Sequence, residues 1–248
     1  MTNEDIWRPL SDEIALWDTE GRRPQFWWRD DDAVEPTDAL DRLLGLSRRH
    51  GAPVALAVIP ASTGEALADR LRDERGATVL VHGWSHRNHA GVGEKKQELG
   101  PHRPVETVMA ELSRGQALLG ALHGTGFLPV LVPPWNRIDP RLVPHLAGAG
   151  FRALSVFGPA KPGPIGIINS TVDIMDWHGT RTGRDHEVLV GEIVGQLRSA
   201  RQSGSETPIG LLTHHLVHDE SAWDFLDGLL EVTSAGARWR SVGDLIAG

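Results

Sequence analysis

The stretch "PVALAVIPASTGEALADRLRDERGATVLVH", residues 53–82, holds the unit on which the rest of the chain is patterned. "PVALAVIP" is a short apolar run between two prolines, the pattern of a strand buried on both faces. "TGEALADRLRDERG" places apolar residues at helical spacing, with charge on the other face and Gly76 to stop it. "TVLVH" is strand-like again and ends on His82. Strand, helix and strand within about thirty residues is the parallel βαβ unit.

The same alternation continues in both directions. Upstream, "QFWWRD" (residues 25–30) is an aromatic-rich strand that runs into charge. "TDALDRLLGLSRRHG" then reads as a helix with Thr37 as N-cap, Leu40, Leu43 and Leu44 on one stripe, and Gly51 at its end. Downstream lie the helix "VETVMAELSRGQALLGAL" and the strand "FLPVLVPPW", which stops at its prolines. Asp139 and Pro140 suit the N-cap and N1 positions of a short helix up to Gly148. "RALSVFG", "STVDIMDW", "IGLLTHH" and "ARWRSV" are further strands, and residues 186–202 and 220–233 are expected to be helical. No fixed-period repeat and no linker interrupts the pattern, so residues 1–248 are expected to form one domain, with residues 1–24 a helical extension at its N-terminus. About seven or eight strands without a Gly-rich dinucleotide turn favour, within the α/β class, a closed or distorted (β/α) barrel over a Rossmann sheet.

Composition excludes several classes of function. The net charge is −8 with no basic stripe, which argues against a nucleic-acid partner. No apolar run is long enough for a membrane span, and the start "MTNEDIWRPLSDEIALWD" is acidic rather than basic-then-apolar, so a cytoplasmic location is expected. There are no cysteines, which rules out disulfides and thiolate-held zinc. Nine Trp beside no Tyr read first as core, and second as flat faces for a sugar. Trp7, Trp17 and Trp223 fall on expected surface helices and are candidates for an intermolecular contact; the oligomeric state itself is not legible.

The residues that carry chemistry fall where strands end. Asp30, Asp31 and Asp32 end the first strand, and His82 the third. Pro133, Pro134 and Trp135 end "FLPVLV"; Asp173, Asp176 and Trp177 end "STVDIM"; His214 and His215 end "IGLLT". In parallel barrels those strand ends form one face, and it carries the site. If the chain turns helical after His82, then His86 at i+4 shares its face, a spacing that can grip one metal. A carboxylate from the first strand completes two His and one Asp, a set that leaves open positions on a divalent ion. Three adjacent carboxylates raise one another's pKa unless a cation sits among them.

Together these segments resemble the polysaccharide deacetylase family (the NodB homology domain, carbohydrate esterase family 4), in order and across nearly the whole chain. "RDDDA" is similar to its Asp-Asp motif, and "HGWSH" to His-x-x-x-His with Gly83 in place of a hydroxyl residue. "VPPW" is similar to Arg-x-Pro-aromatic, except that Val132 stands where the Arg belongs. "DIMDW" and "LTH" match the fourth and fifth motifs. The resemblance implies a NodB-like distorted barrel of about seven parallel strands. It also implies a metal-dependent hydrolase that removes an N-acetyl or similar N-acyl group from an amino sugar or oligosaccharide, with a carbohydrate or other small amide as partner.

The resemblance makes the first Asp of the pair the general base and the second a metal ligand. With three in a row, two registers are open: Asp30 with Asp31, or Asp31 with Asp32. Asp31 as base and Asp32 as ligand is preferred, because Arg29 and Asp31, two apart on a strand, then point together into the site. Arg29 would supply the cation that Val132 lacks. The expected ligands are Asp32, His82 and His86, around Zn2+ first, with Co2+, Mn2+, Fe2+ or Ni2+ as alternatives. His214 is the expected acid, oriented by Asp173, or by Asp176 as second choice, and Pro134, Trp135 and Trp177 wall the substrate pocket. His215 is either a bystander or a group that tunes the acid, and residues 93–100 are a solvated loop or a lid. The competing functions are hydrolysis of another amide such as a formamido sugar, cleavage of an O-acetyl ester, and a catalytically silent glycan-binding barrel.

Overall fold

The computed structural model describes residues 3–247. Nine strands are interleaved with eight α-helices among these residues. In chain order they are α1 (Asn3–Thr19), β1 (Gln25–Ala33), α2 (Asp38–His50), β2 (Val54–Val58), α3 (Glu65–Leu71), β3 (Ala77–His82), α4 (Val105–His123), β4 (Phe127–Val132) and α5 (Val143–Leu146). There follow β5 (Ala153–Leu154), β6 (Gly166–Ile167), β7 (Val172–Asp173), α6 (His186–Ser203), β8 (Ile209–Thr213), α7 (Glu220–Thr233), β9 (Arg238–Trp239) and α8 (Val242–Ala247). The sheet runs β6-β5-β4-β3-β2-β1-β8-β7 with every pairing parallel, and β9 pairs with the start of β1. It curls into a distorted half-barrel wrapped by helices, the expected architecture.

Alternation along the strands creates two cores. On β2, Val54, Leu56 and Val58 face the helices, and Ala55 and Ala57 face inward. The inner cluster is small: Trp27, Ala55, Ala57, Leu80, Val130, Val132 and Ala153 fill it, and Val242 of α8 joins from the last helix. Small side chains suit the tight interior of a small barrel. Trp27 approaches β8 so closely that a Cβ on Gly210 would collide with its indole. The following inward positions are no longer apolar: Arg29 and Asp31 on β1, His82 at the end of β3, and Ser155 just past β5. A polar site therefore stands directly on an apolar plug.

Several expectations need correction. The helix over "TGEALADRLRDERG" stops at Leu71, not at Gly76, because Ala77 must already pair with Val54 and the chain turns in between. The short helix after Asp139 begins only at Val143, while the Asp139 side chain accepts from the backbone N–H of Arg141 at 2.9 Å. Strand β6 and helix α8 were not expected. The three Trp expected on helix surfaces are core residues: Trp7, Trp17 and Trp223 are 6%, 3% and 5% exposed. Trp7 packs on Phe225 of α7 with ring centroids 5.3 Å apart. The nearly buried Glu13 of α1 pairs with Arg201 of α6 at 2.7 Å. Among the described residues, no helix is long and apolar enough to cross a membrane.

Candidate active site

The site begins with an irregularity in β1. Its pairing with β2 slips between Asp30 and Ala33, and Asp32 there has φ 74. A bulge re-aims the side chain that follows it, and Asp tolerates the left-handed region better than most residues. In a regular strand the neighbours Asp31 and Asp32 would point to opposite faces. The bulge lets both reach the same face.

Asp32 meets the histidines there. Its Oδ1 lies 3.1 Å from His82 Nε2 and 3.3 Å from His86 Nε2. Two donors held about 2.0–2.1 Å from one tetrahedral ion stand roughly 3.3 Å apart. The Nδ1 of His82 donates to the carbonyl of Val132 at 2.9 Å, which orients the ring so that Nε2 is aimed at Asp32, the nitrogen that would ligate an ion. Among the described residues, Asp32, His82 and His86 form the group able to hold a metal, with ligand atoms within 4.8 Å of one another. The donor set thus fits a divalent ion. The geometry of its loop differs from expectation: the chain does not turn helical after His82. Left-handed residues at Gly83 (φ 58) and His86 (φ 56) fold the loop back instead.

Charge is concentrated here. Burial pushes the Asp32 carboxyl up, but the hydrogen bond to His82 and the imidazoles of His82, His214 and His86 hold it well below the carboxylate range. Burial opposes charge on His82, and Asp32 and Asp31 reverse this to a net rise. His86 is lowered by burial and by His82.

Arg29 and Asp31 form a buried ion pair, Nε to Oδ1 at 2.9 Å and Nη2 to Oδ2 at 3.1 Å, with side chains 0% and 3% exposed. The guanidinium also donates to Ser155 Oγ and to Asn136 Oδ1, each at 2.7 Å. Trp135 and Asn136 are both left-handed, with φ 55 and φ 56. Such strain costs about 1–3 kcal/mol per residue and tends to gather at functional sites. The Trp135 ring lies 4.3 Å from that of His86, and Pro134 is buried beside Gly83.

His214 follows β8, its Nε2 4.0 Å from Asp31 Oδ2 and its ring edge-on to Trp177 at 4.6 Å. Asp173 does not bond His214 directly. Its oxygens accept from the Met175 N–H at 3.0 Å and the Trp177 indole N–H at 2.8 Å. Burial pushes its carboxyl up, partly offset by the charge of His214. Asp176 lies outside the site and caps its own exposed loop, accepting from the N–H groups of His178, Gly179 and Thr180.

Asp30 turns the other way, under the helices. It is fully buried and accepts from Thr213 Oγ1 at 2.6 Å, the His215 N–H at 3.0 Å and the His215 ring at 2.5 Å. Burial raises its carboxyl, but His215 outweighs that and leaves it lowered. His215 therefore ties β1 to the loop that carries His214. Sequence reasoning missed Ser155, Asn136 and Glu98. Their partners are distant in the chain, and no local spacing marks them.

No protein-family model matches the chain, and no curated protein matches it either. Solved structures do share its fold. A protein from Mycobacterium smegmatis assigned as a polysaccharide deacetylase superposes with a TM-score of 0.67 at 15% identity, over 91% of this chain and 90% of that one. A Bacillus subtilis peptidoglycan deacetylase gives 0.58 at 17% identity, covering 90% and 89%. A Clostridium thermocellum family 4 acetyl xylan esterase, in complex with a cobalt ion, gives 0.56 at 16% identity, covering 90% of each chain. The chain has the fold of the polysaccharide deacetylases and family 4 carbohydrate esterases.

Proposed function

We propose that this chain, sharing the fold of polysaccharide deacetylases, is a divergent member of that family and a metal-dependent hydrolase of N-acyl groups on amino sugars. One observation carries the reading: two imidazoles and one carboxylate converge beside a second carboxylate and a third imidazole 4.0 Å apart. Asp32, His82 and His86 are the residues that would hold the ion, Zn2+ being the first choice. Bound there, a divalent ion lowers the pKa of a water and polarises an acyl carbonyl.

The chain's own groups do the rest. Asp31 takes a proton as water attacks the acyl carbon and the new C–O bond forms. Arg29 grips both of its oxygens, keeps them aimed and supplies from β1 the cation that Val132 does not. His214 then delivers a proton to the nitrogen as the C–N bond breaks, releasing carboxylate and amine. Asp173 acts through Trp177, whose indole it anchors and whose ring stands T-shaped against the His214 ring. Trp135 and Pro134 wall the acyl side of the pocket.

The test is metal analysis of purified protein together with acetate or formate release from a panel of N-acetyl, N-formyl and O-acetyl sugars. Ion uptake with release from N-acyl substrates is the expected result. Full ion occupancy without turnover of any amide would overturn the hydrolase in favour of a glycan-binding barrel, and release from O-acetyl sugars alone would make the enzyme an esterase.

A further inference from the structure

We propose that Glu98 is a positioning residue for the metal centre, a buried carboxylate that holds the loop bearing His86 in its ligating shape. The inference rests on the metal-centre reading above and adds to it a residue that does not touch the ion.

Glu98 lies in the connection between β3 and α4 and is 0% exposed. Among the described residues, no Lys, Arg or His lies within ion-pair distance of it. A buried carboxylate without a cation persists only where donors replace its water. Here they come from one short loop. The backbone N–H groups of Trp84, Ser85 and His86 donate to it at 3.2, 2.7 and 3.2 Å, and the Ser85 hydroxyl at 3.0 Å. All four partners are donors, the pattern a carboxylate satisfies.

Three successive N–H groups aimed at one anion form a backbone nest. The left-handed Gly83 just before it and the left-handed His86 at its last position give the loop this concave shape. In most such nests the anion is a ligand; here the chain supplies its own. A Cβ on Gly83 would collide with the Glu98 carboxylate and with the Pro134 ring, so this loop requires glycine at the second position of "HGWSH".

Glu98 is itself fixed from behind. Leu99, 1% exposed, bridges to Ile138, and its carbonyl accepts from the Asp139 N–H at 2.7 Å. The segment at residues 93–100 is thus neither a free lid nor a plain solvated loop. Its first half is exposed and its second half is buried. Through Glu98 it couples the His86 loop to the exit of β4, where Trp135 packs on His86.

Outer-shell partners of metal ligands commonly contribute about 10–100-fold in metal affinity, which sets the expected effect. Zn2+ affinity would be measured by competition with a chromophoric chelator, and the ligand field by the visible spectrum of the Co2+-loaded protein. The proteins are wild type, Glu98→Gln, Ser85→Ala and, as a stability control remote from the site, Thr233→Val. Glu98→Gln is expected to bind Zn2+ about 10–100-fold more weakly with an altered Co2+ spectrum, and Ser85→Ala to show a smaller loss in the same direction. Thr233→Val, although less heat-stable, should match wild type in both readouts. Should Glu98→Gln fail to fold, Ser85→Ala decides, and an unchanged affinity there overturns the inference. Glu98→Gln with wild-type affinity and spectrum overturns it while leaving the metal centre intact. A wild-type protein that takes up neither ion overturns both.

Discussion

Asp30, Asp31 and Asp32 are chemically identical neighbours that the fold separates into three environments. Asp30 is sealed behind the sheet with His215, Asp31 is clamped by Arg29, and Asp32 faces two imidazoles. Their substitutions should separate accordingly. Asp32→Asn is expected to abolish ion uptake. Asp31→Asn should keep the ion and lose roughly 10²–10⁴ in kcat, the usual scale of a general base. Asp30→Asn should retain the ion and lower stability by about 3–5 kcal/mol, because it breaks a buried pair. Metal analysis, steady-state kinetics and urea unfolding on the three variants check this ordering, and Asp30→Asn as the variant that loses the ion would contradict it. His214→Ala should likewise keep the ion while kcat falls by a similar factor.

At the scale of elements, the helix α1 and the loop after β3 make opposite demands. The loop depends on backbone shape. Gly83→Ala adds a Cβ at φ 58 against the Glu98 carboxylate and is expected to weaken both folding and ion binding. Helix α1 depends on burial, since Trp7, Leu10, Ile14 and Trp17 all lie against the body of the protein. Trp7→Ala should cost about 3–5 kcal/mol, read as a lower urea midpoint with little change in kcat. A loss near zero would make α1 a loose appendage rather than part of the helical layer.

Across the whole molecule, buried histidines tie stability to pH. His218 is pushed down to about 4 by burial, against an unperturbed value of 6.5. Between those values the unfolded chain holds a proton that the folded chain does not. This contribution is complete above pH 6.5 and declines toward pH 4, by about 3 kcal/mol at most. Asp30, lowered overall, adds a loss of the same sign as pH falls below its ordinary range. His215 acts in the other sense: burial pulls it down, but Asp30 raises it overall, so its contribution is present below pH 6.5 and fades as pH climbs through its raised value. The His218 share should therefore appear as a difference: between pH 7 and pH 5 the urea midpoint of the wild type should fall relative to that of His218→Asn, and equal slopes would contradict it. Removal of a bound ion by a chelator should lower Tm, and added Zn2+ should restore it, the stabilisation growing with the logarithm of one plus the ratio of free Zn2+ to Kd.

The order of strands and helices was legible because burial on a parallel sheet and on helix faces writes apolar periodicity into neighbouring residues, as residues 53–82 show. The strand-end residues Asp31, His82 and His214 were legible for the same reason, since a strand's last inward position follows from counting by two. Strand β6, two residues in a Gly- and Pro-rich stretch, and the six-residue helix α8 carry too few positions for a period to register, whereas the equally short β5, β7 and β9 lie inside longer strand-like runs. The left-handed turn that aims His86, the bulge that turns Asp32, and the buried partners Ser155, Asn136 and Glu98 depend on atoms more than ten residues apart in the chain. Local pattern records which face a residue prefers. Only the folded chain decides which distant donor or acceptor that face meets.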